Sequence, residues 1–255
     1  MIVYTDLDGT MFGPGGSFFR APDRSITLDP AEALTDFLAA GNKLVLVSGR
    51  TRVQLVEAAA ILGADGYIGE LGSLVGWDGP RECVKLQGVG PAADDDLVEA
   101  LLKDFSGRLE FHEPWHIGHE VDVMLRGNVP PDESRAWLDA HGAPHLDLRD
   151  NGVLPIGRPT GLDESTAPVH VYHLLPQGIS KGHALEWDLR RRGLGPKDAV
   201  AVGDSTSDLE MAGHVGRFFL VANGAAHVRR PLPGNVTITD GALSLGWAEA
   251  VRAST

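Results

Sequence analysis

Short apolar segments alternate with amphipathic helical stretches at both ends of this chain, and that alternation is the strongest constraint on its fold. Ile2-Val3-Tyr4-Thr5 suits a buried strand and runs into Asp6-Leu7-Asp8-Gly9-Thr10. The Gly13-Pro14-Gly15-Gly16 run that follows requires a loop. A helix is predicted from Asp29, with Pro30 in its first turn, Ala33, Leu34, Phe37 and Leu38 on one face, and Gly41 as its stop. Lys43 to Val47 predicts a second buried strand closing on Ser48-Gly49-Arg50-Thr51, and a helix from there ends at Gly63. Short strands are expected at 66–69 and 74–75. Beyond 169, strands at 169–174, 199–202, 218–221 and 236–238 alternate with helices at 180–189, 209–212 and 242–251. Such alternation specifies an α/β fold, a Rossmann-like, mostly parallel sheet with helices on its faces.

The pattern changes at Gly79-Pro80. Helices are expected at 94–105 and 130–141, and strands at 108–112 and 121–125. A hairpin of 145–148 and 153–156 would turn at Asp150-Asn151-Gly152. The segment 157–168, rich in Pro, Gly, Asp, Ser and Thr, reads as a returning linker. The expected organisation is a core built from 1–79 and 170–255, interrupted by an inserted α+β cap at 80–169.

Four polar clusters sit where an expected strand gives way to a loop or helix: Asp6/Asp8, Ser48-Gly49, Ser180-Lys181 and Asp204/Asp208. In an open α/β sheet, ligands bind beyond the carboxyl ends of the strands. Asp6 and Asp8 there are costly unless a metal or a proton neutralises them. Each cluster also has a plain structural explanation. Asp8-Gly9 is a common turn, Ser48 could cap the following helix, and Asp204 could cap another with Asp208 in its first turn. Lys181 is the least easily dismissed, because the cap at Ser180 puts a cation at the positive end of a helix unless an anion lies in front of it. Asp6 and Asp204 are the hard oxygen ligands that Mg²⁺ prefers.

Together, Asp6-Leu7-Asp8-Gly9-Thr10, Val47-Ser48-Gly49-Arg50, Ser180-Lys181-Gly182 and Gly203-Asp204-Ser205-Thr206-Ser207-Asp208 resemble, in order, the four motifs of the haloacid dehalogenase-like phosphatases. The insert resembles the type II cap of the Cof-like branch, which includes sucrose-phosphate and mannosyl-3-phosphoglycerate phosphatases. Asn223 and Thr239-Asp240-Gly241 resemble that branch as well. The resemblance implies that Asp6 attacks phosphorus to form an aspartyl-phosphate and that Asp8 is the acid and base. It implies Mg²⁺ held by Asp6, the Asp8 carbonyl and Asp204, with Asp208 and Asn223 in support. Ser48, the Gly49 amide and Lys181 would hold the phosphoryl oxygens. The expected substrate is a small phosphorylated metabolite, a sugar phosphate or a phosphorylated acid. One departure is Glu70-Leu71-Gly72-Ser73, where relatives tend to have an Asn-Gly pair. Alternatives that use similar groups are a sugar-phosphate mutase on the same fold, a phospho-accepting receiver-like signalling domain, and an idle regulator.

Arg50 and Arg126 are candidates for a second anionic group on the substrate, against the plainer reading of surface ion pairs. His112, His116 and His119, separated by Pro114 and Gly118, read as surface or substrate-facing groups of a hairpin loop in preference to zinc ligands. Arg190-Arg191-Arg192 reads as a solvated helix end. The net charge of −13 argues against nucleic acid or an anionic membrane as partner. The lone Cys83 and the lack of a leader or a long apolar run make a cytoplasmic protein the expectation.

Overall fold

The computed structural model describes residues 1–154 and 161–255. The chain opens with β1 (Ile2–Asp6), followed by α1 (Asp29–Ala39), β2 (Lys43–Val47), α2 (Arg52–Leu62), β3 (Gly66–Gly69), β4 (Leu74–Trp77) and β5 (Glu82–Lys85). Next come α3 (Asp95–Asp104), β6 (Leu109–Phe111), β7 (Val123–Gly127), α4 (Pro131–Ala140), β8 (Leu146–Val153) and β9 (His170–Pro176). The last third holds α5 (Lys181–Arg191), β10 (Ala199–Gly203), α6 (Thr206–Leu209), β11 (Arg217–Leu220), β12 (Val236–Ile238) and α7 (Leu243–Arg252). Two compact units result, one of 1–86 with 180–255 and the other of 87–179.

In the first unit the sheet order is β12-β11-β10-β1-β2-β3-β4-β5. The pairs from β12 through β3 are parallel, and β4 and β5 add an antiparallel edge. β1 is fully buried between β10 and β2 because every one of its residues faces a covered side of the sheet. One face packs Val3, Leu44, Leu46 and Val202 against Phe37 and Trp247. The other packs Ile2, Tyr4, Val45 and Ala201 against Leu185 and Leu189 of α5. In the second unit the order is β6-β7-β9-β8, all antiparallel, with Leu101, Leu125, Leu138 and Leu174 in its core.

Three expectations need correction. Gly79-Pro80 is not the exit from the core: Asp78 and Gly79 take φ of 54° and 65°, and the chain turns there into β5, which pairs with β4. The segment at 169–174 does not return to the first sheet, because β9 pairs with β7 and β8 in the second unit. An apolar run identifies a strand without saying which sheet receives it. Asp150-Asn151-Gly152 is not a hairpin turn either. β8 runs through it against β9, with a register shift between Asp150 and Val153. The far arm of that expected hairpin and the first residues of the expected linker lie partly outside the described residues.

The arginines at the end of α5 are also more than a solvated tip. Asp188 is buried and accepts from Tyr4 Oη at 2.9 Å and from Arg192 Nε at 2.7 Å, while the Arg191 guanidinium lies 3.8 Å above the Trp77 ring. Only exposed Arg190 of the three matches the expectation, pairing with half-buried Glu186 one helical turn away. No helix among the described residues is long and apolar enough to cross a membrane.

Candidate active site

Parallel register brings the expected site residues together. Asp6 ends β1 opposite Val47, so Ser48 follows directly beside it, and Asp204 follows β10 on the other flank. Lys181 is the first residue of α5, capped by Ser180, whose hydroxyl accepts from the His183 amide at 3.0 Å. Lys181 Nζ donates to Asp6 Oδ1 at 2.9 Å and to Asp208 Oδ1 at 2.6 Å. The three side chains are 4%, 7% and 1% exposed, so these pairs are shielded from solvent screening. Burial alone would drive the Lys181 pKa down, but the charges of Asp208 and Asp6 outweigh it and the ammonium is held protonated.

Both Asp208 oxygens are engaged, Oδ1 by Lys181 and Oδ2 by its own loop. Its Oδ2 accepts from the Asp204 amide at 3.0 Å, the Ser205 amide at 2.9 Å and the Ser205 hydroxyl at 2.6 Å. Ser205, not Asp204, is the N-cap of α6, with Asp208 closing a capping box. That frees the Asp204 carboxylate for the site. Asp204 Oδ1 accepts from Thr10 Oγ1 at 3.0 Å. Asn223 Nδ2 donates to the Gly9 carbonyl at 2.8 Å, and its Oδ1 accepts from the Leu243 amide at 2.7 Å, tying the loop after β1 to the start of α7. Gly9 is required at its position twice over. Its φ is +90°, and a Cβ there would lie 2.5 Å from Asp204 Oδ2.

Ser48 is buried, and the sequence alternative of a helix cap fails for it. Thr51 caps α2 in a capping box with Gln54. The Gly49 amide takes no partner among the described residues. Glu70-Leu71-Gly72-Ser73 forms a tight turn behind both motifs, its Leu71 amide donating to the Ser48 carbonyl at 3.3 Å. Gly72 has φ +110°, and a Cβ there would meet the Ser180 carbonyl at 2.3 Å. A turn that accepts positive φ at Glu70 and Leu71 as well thus replaces the Asn-Gly pair.

The electrostatics ask for a cation. Asp6, Asp204 and Asp208 offer ligand atoms within 4.8 Å of one another, with Lys181 the ammonium among them. Asp6 Oδ2 is buried without a hydrogen-bond partner. Burial, then the charge of Asp208, push Asp6 well above the usual carboxylate range against the pull of Lys181. The same two causes raise Asp204 to about 7. An unpartnered carboxylate oxygen beside a second strained acid fits a divalent metal, for which hard oxygen donors are the natural set.

Asp8 stands apart from this group. It is half exposed and held by Arg50, which donates from Nε to Oδ2 at 2.7 Å and from Nη2 to Oδ1 at 2.6 Å. Arg126 lies in the second unit. Its Nε donates to Glu110 Oε1 at 2.7 Å and its Nη1 to the Glu113 carbonyl at 3.0 Å, so the surface ion-pair reading suits it better than a substrate anion. The histidines differ from their expected exposure. His119 and His173 each bond a different oxygen of buried Asp122 through Nδ1, and His116 stacks on Phe111 at 4.7 Å. His119 lies only three residues before Asp122, but His173 went unnoticed in the sequence because it is 51 residues from the carboxylate it meets.

His112 is buried, and its pKa is lowered to about 4, first by burial and then by the Arg126 charge. A histidine depressed in the fold contributes stability above its unfolded pKa and loses it as pH falls toward the folded value. His112→Gln is therefore expected to be more stable relative to wild type at pH 4.5 than at pH 7.5, by about 1–2 kcal/mol after allowance for solvent screening. Urea unfolding at both pH values measures this, and an equal difference at both would refute it.

Comparison with known proteins shows what the chain is similar to. A family model described as haloacid dehalogenase-like hydrolase matches residues 164–231. A phosphoglycolate phosphatase of Methanoculleus marisnigri is 29% identical, covering 98% of this chain and 94% of its own. An HMP-PP phosphatase of Escherichia coli is 25% identical, covering 89% and 86%. Among solved structures, the sucrose-phosphatase of Synechocystis superposes with a TM-score of 0.64 at 15% identity, covering 99% of this chain and 97% of its own. A subclass IIB sugar phosphatase superposes at 0.65 and 16%, covering 99% and 98%. The chain is thus similar to haloacid dehalogenase-like hydrolases, and it shares the fold of a subclass IIB sugar phosphatase. Both of these sequence relatives are phosphatases, and the matched family model is one of hydrolases.

Proposed function

We propose that this enzyme hydrolyses the phosphomonoester of a small metabolite, a sugar phosphate or a phosphorylated acid, by way of an aspartyl-phosphate on Asp6, with Mg²⁺ as cofactor. The observation that carries the proposal is the Lys181 ammonium set between Asp6 and Asp208, which holds Asp6 in place and leaves its Oδ2 unpartnered. In support, the relatives include a phosphoglycolate phosphatase and a sucrose-phosphatase.

Asp6 supplies the attacking oxygen: a carboxylate O–P bond forms as the ester P–O bond breaks. The leaving alkoxide takes a proton from Asp8, whose ionised carboxylate then removes a proton from the water that attacks phosphorus. Phosphate departs and Asp6 is restored. Ser48, the Gly49 amide and Lys181 hold the phosphoryl oxygens, since phosphoryl transfer rests mostly on positioning and charge stabilisation. Asp8 must leave the Arg50 fork, or turn within it, to reach the leaving oxygen. Asp6, Asp204 and the Asp8 carbonyl would hold Mg²⁺, which neutralises charge gathering on the phosphoryl oxygens. Asp208 orients Lys181 and the 204–205 backbone.

A panel of phosphorylated metabolites, assayed for phosphate release with Mg²⁺ and with chelator, tests the reading. Release of phosphate that requires the metal is expected, and full activity in chelator would refute the cofactor. Asp204→Asn is expected to raise the Mg²⁺ concentration for half-maximal rate by about 10–100-fold, on the scale of a lost ligand or its support. An unchanged metal response would remove Asp204 from the site.

A further inference from the structure

Beside the Asp8–Arg50 pair the first unit contains a cavity of about 430 Å³, within the size range of small-molecule sites. Its walls come from the loop after β1, from α1 and from α2. Phe12, Phe18 and Phe19 form the loop wall, with ring centroids 6.4 Å apart for the first pair and 5.4 Å for the second. Phe18 also meets the buried Trp247 ring at 5.9 Å, which anchors this wall to the core.

The opposite wall follows from the composition of α2. That helix is apolar on both faces: Leu55, Ala59 and Leu62 are buried, while Val53 and Ile61 are exposed. Isolated exposed apolar residues are ordinary, but Ile61, 83% exposed, and Phe19, 46% exposed, line the same cavity.

Two polar side chains lining the cavity have donors to spare. Arg50 uses Nε and Nη2 on Asp8, and its Nη1 has no partner among the described residues. Gln54 uses Oε1 to cap the helix at Thr51, and its Nε2 likewise has none. Glu57, three residues further along the same helix face, disfavours a second acidic group there. A guanidinium and an amide donor together suit one carboxylate.

We propose that this cavity binds a small organic acid with an apolar, ring-sized body, its carboxylate on Arg50 and Gln54 and its body against the phenylalanines and Ile61. The guanidinium that holds Asp8 then carries a second anion, which couples occupancy of the cavity to the group that acts as acid and base. None of Asp6, Ser48, Gly49 and Lys181, which would meet the phosphoryl group, lines the cavity, so occupancy of the two is tested independently.

Titration calorimetry of the full chain with 3-phenylpropionate, in the presence of saturating inorganic phosphate and Mg²⁺, tests the proposal. Binding is expected to persist under phosphate. Ile61→Asp and Ala58→Phe should each weaken it by about tenfold or more, through charge repulsion and lost volume. Arg50→Gln, and replacement of the acid by 3-phenylpropanol, should each weaken it by a similar factor of about ten. Thermal melting confirms that each variant folds. Absence of binding at about 10 mM, a weak limit for a fragment of this size, overturns the proposal. So does displacement by phosphate, or affinity unchanged in both Ile61→Asp and Ala58→Phe.

Discussion

Asp6→Asn is expected to lower kcat by about 10⁴-fold or more, the scale seen when a covalent nucleophile is removed. The change is nearly isosteric, and the amide oxygen can still accept from Lys181. What disappears is the nucleophilic oxygen and one negative charge. Because burial and the Asp208 charge already disfavour ionised Asp6, the neutral amide should leave the fold as stable as wild type or more so at neutral pH. The prediction is therefore a separation: turnover lost, melting temperature kept or raised. Steady-state phosphate release and thermal unfolding on one preparation measure both. Turnover within about tenfold of wild type would remove Asp6 as nucleophile.

The separation matters because the site is only partly legible in the sequence. Asp6, Ser48 and Asp204 could be grouped in advance since each ends or follows a strand of one parallel sheet, and parallel register fixes which ends lie side by side. Lys181 announced itself by occupying the unfavourable end of a helix. The roles of neighbouring hydroxyls were less readable, because Ser48, Thr51 and Ser205 all suit a cap, and only the backbone shows that Thr51 and Ser205 take the task. An ion pair was expected of Arg50, but its partner Asp8 was not legible, nor was His173 as the second partner of Asp122 beside the local His119. Such pairings span 42 and 51 residues and depend on how loops return, a matter that local pattern does not encode. The same reason explains β9, where composition gave the strand and the long-range pairing gave the sheet.

Lys181→Met is the sharpest test of the electrostatics, since methionine keeps most of the buried volume and removes only the ammonium. Asp6 and Asp208 would then face each other, nearly fully buried, without the cation that lies 2.9 Å and 2.6 Å from them. Breaking a buried ion pair by deleting one partner costs about 3–5 kcal/mol, because the remaining charge is stranded. The penalty must depend on pH. An acid whose pKa is raised in the fold contributes stability below its unfolded pKa and loses it as pH rises through the folded value, and Asp6 is such an acid even with Lys181 present. Without Lys181 its pKa rises further, so the variant should be most destabilised near pH 8 and closest to wild type near pH 5. Urea unfolding of the metal-free proteins at the two pH values measures this. A deficit below about 1 kcal/mol at pH 8, the scale of a solvent-exposed pair, would mean that the ammonium does not hold the two carboxylates in the core. A deficit that does not shrink on acidification would mean that the loss is one of packing and not of charge.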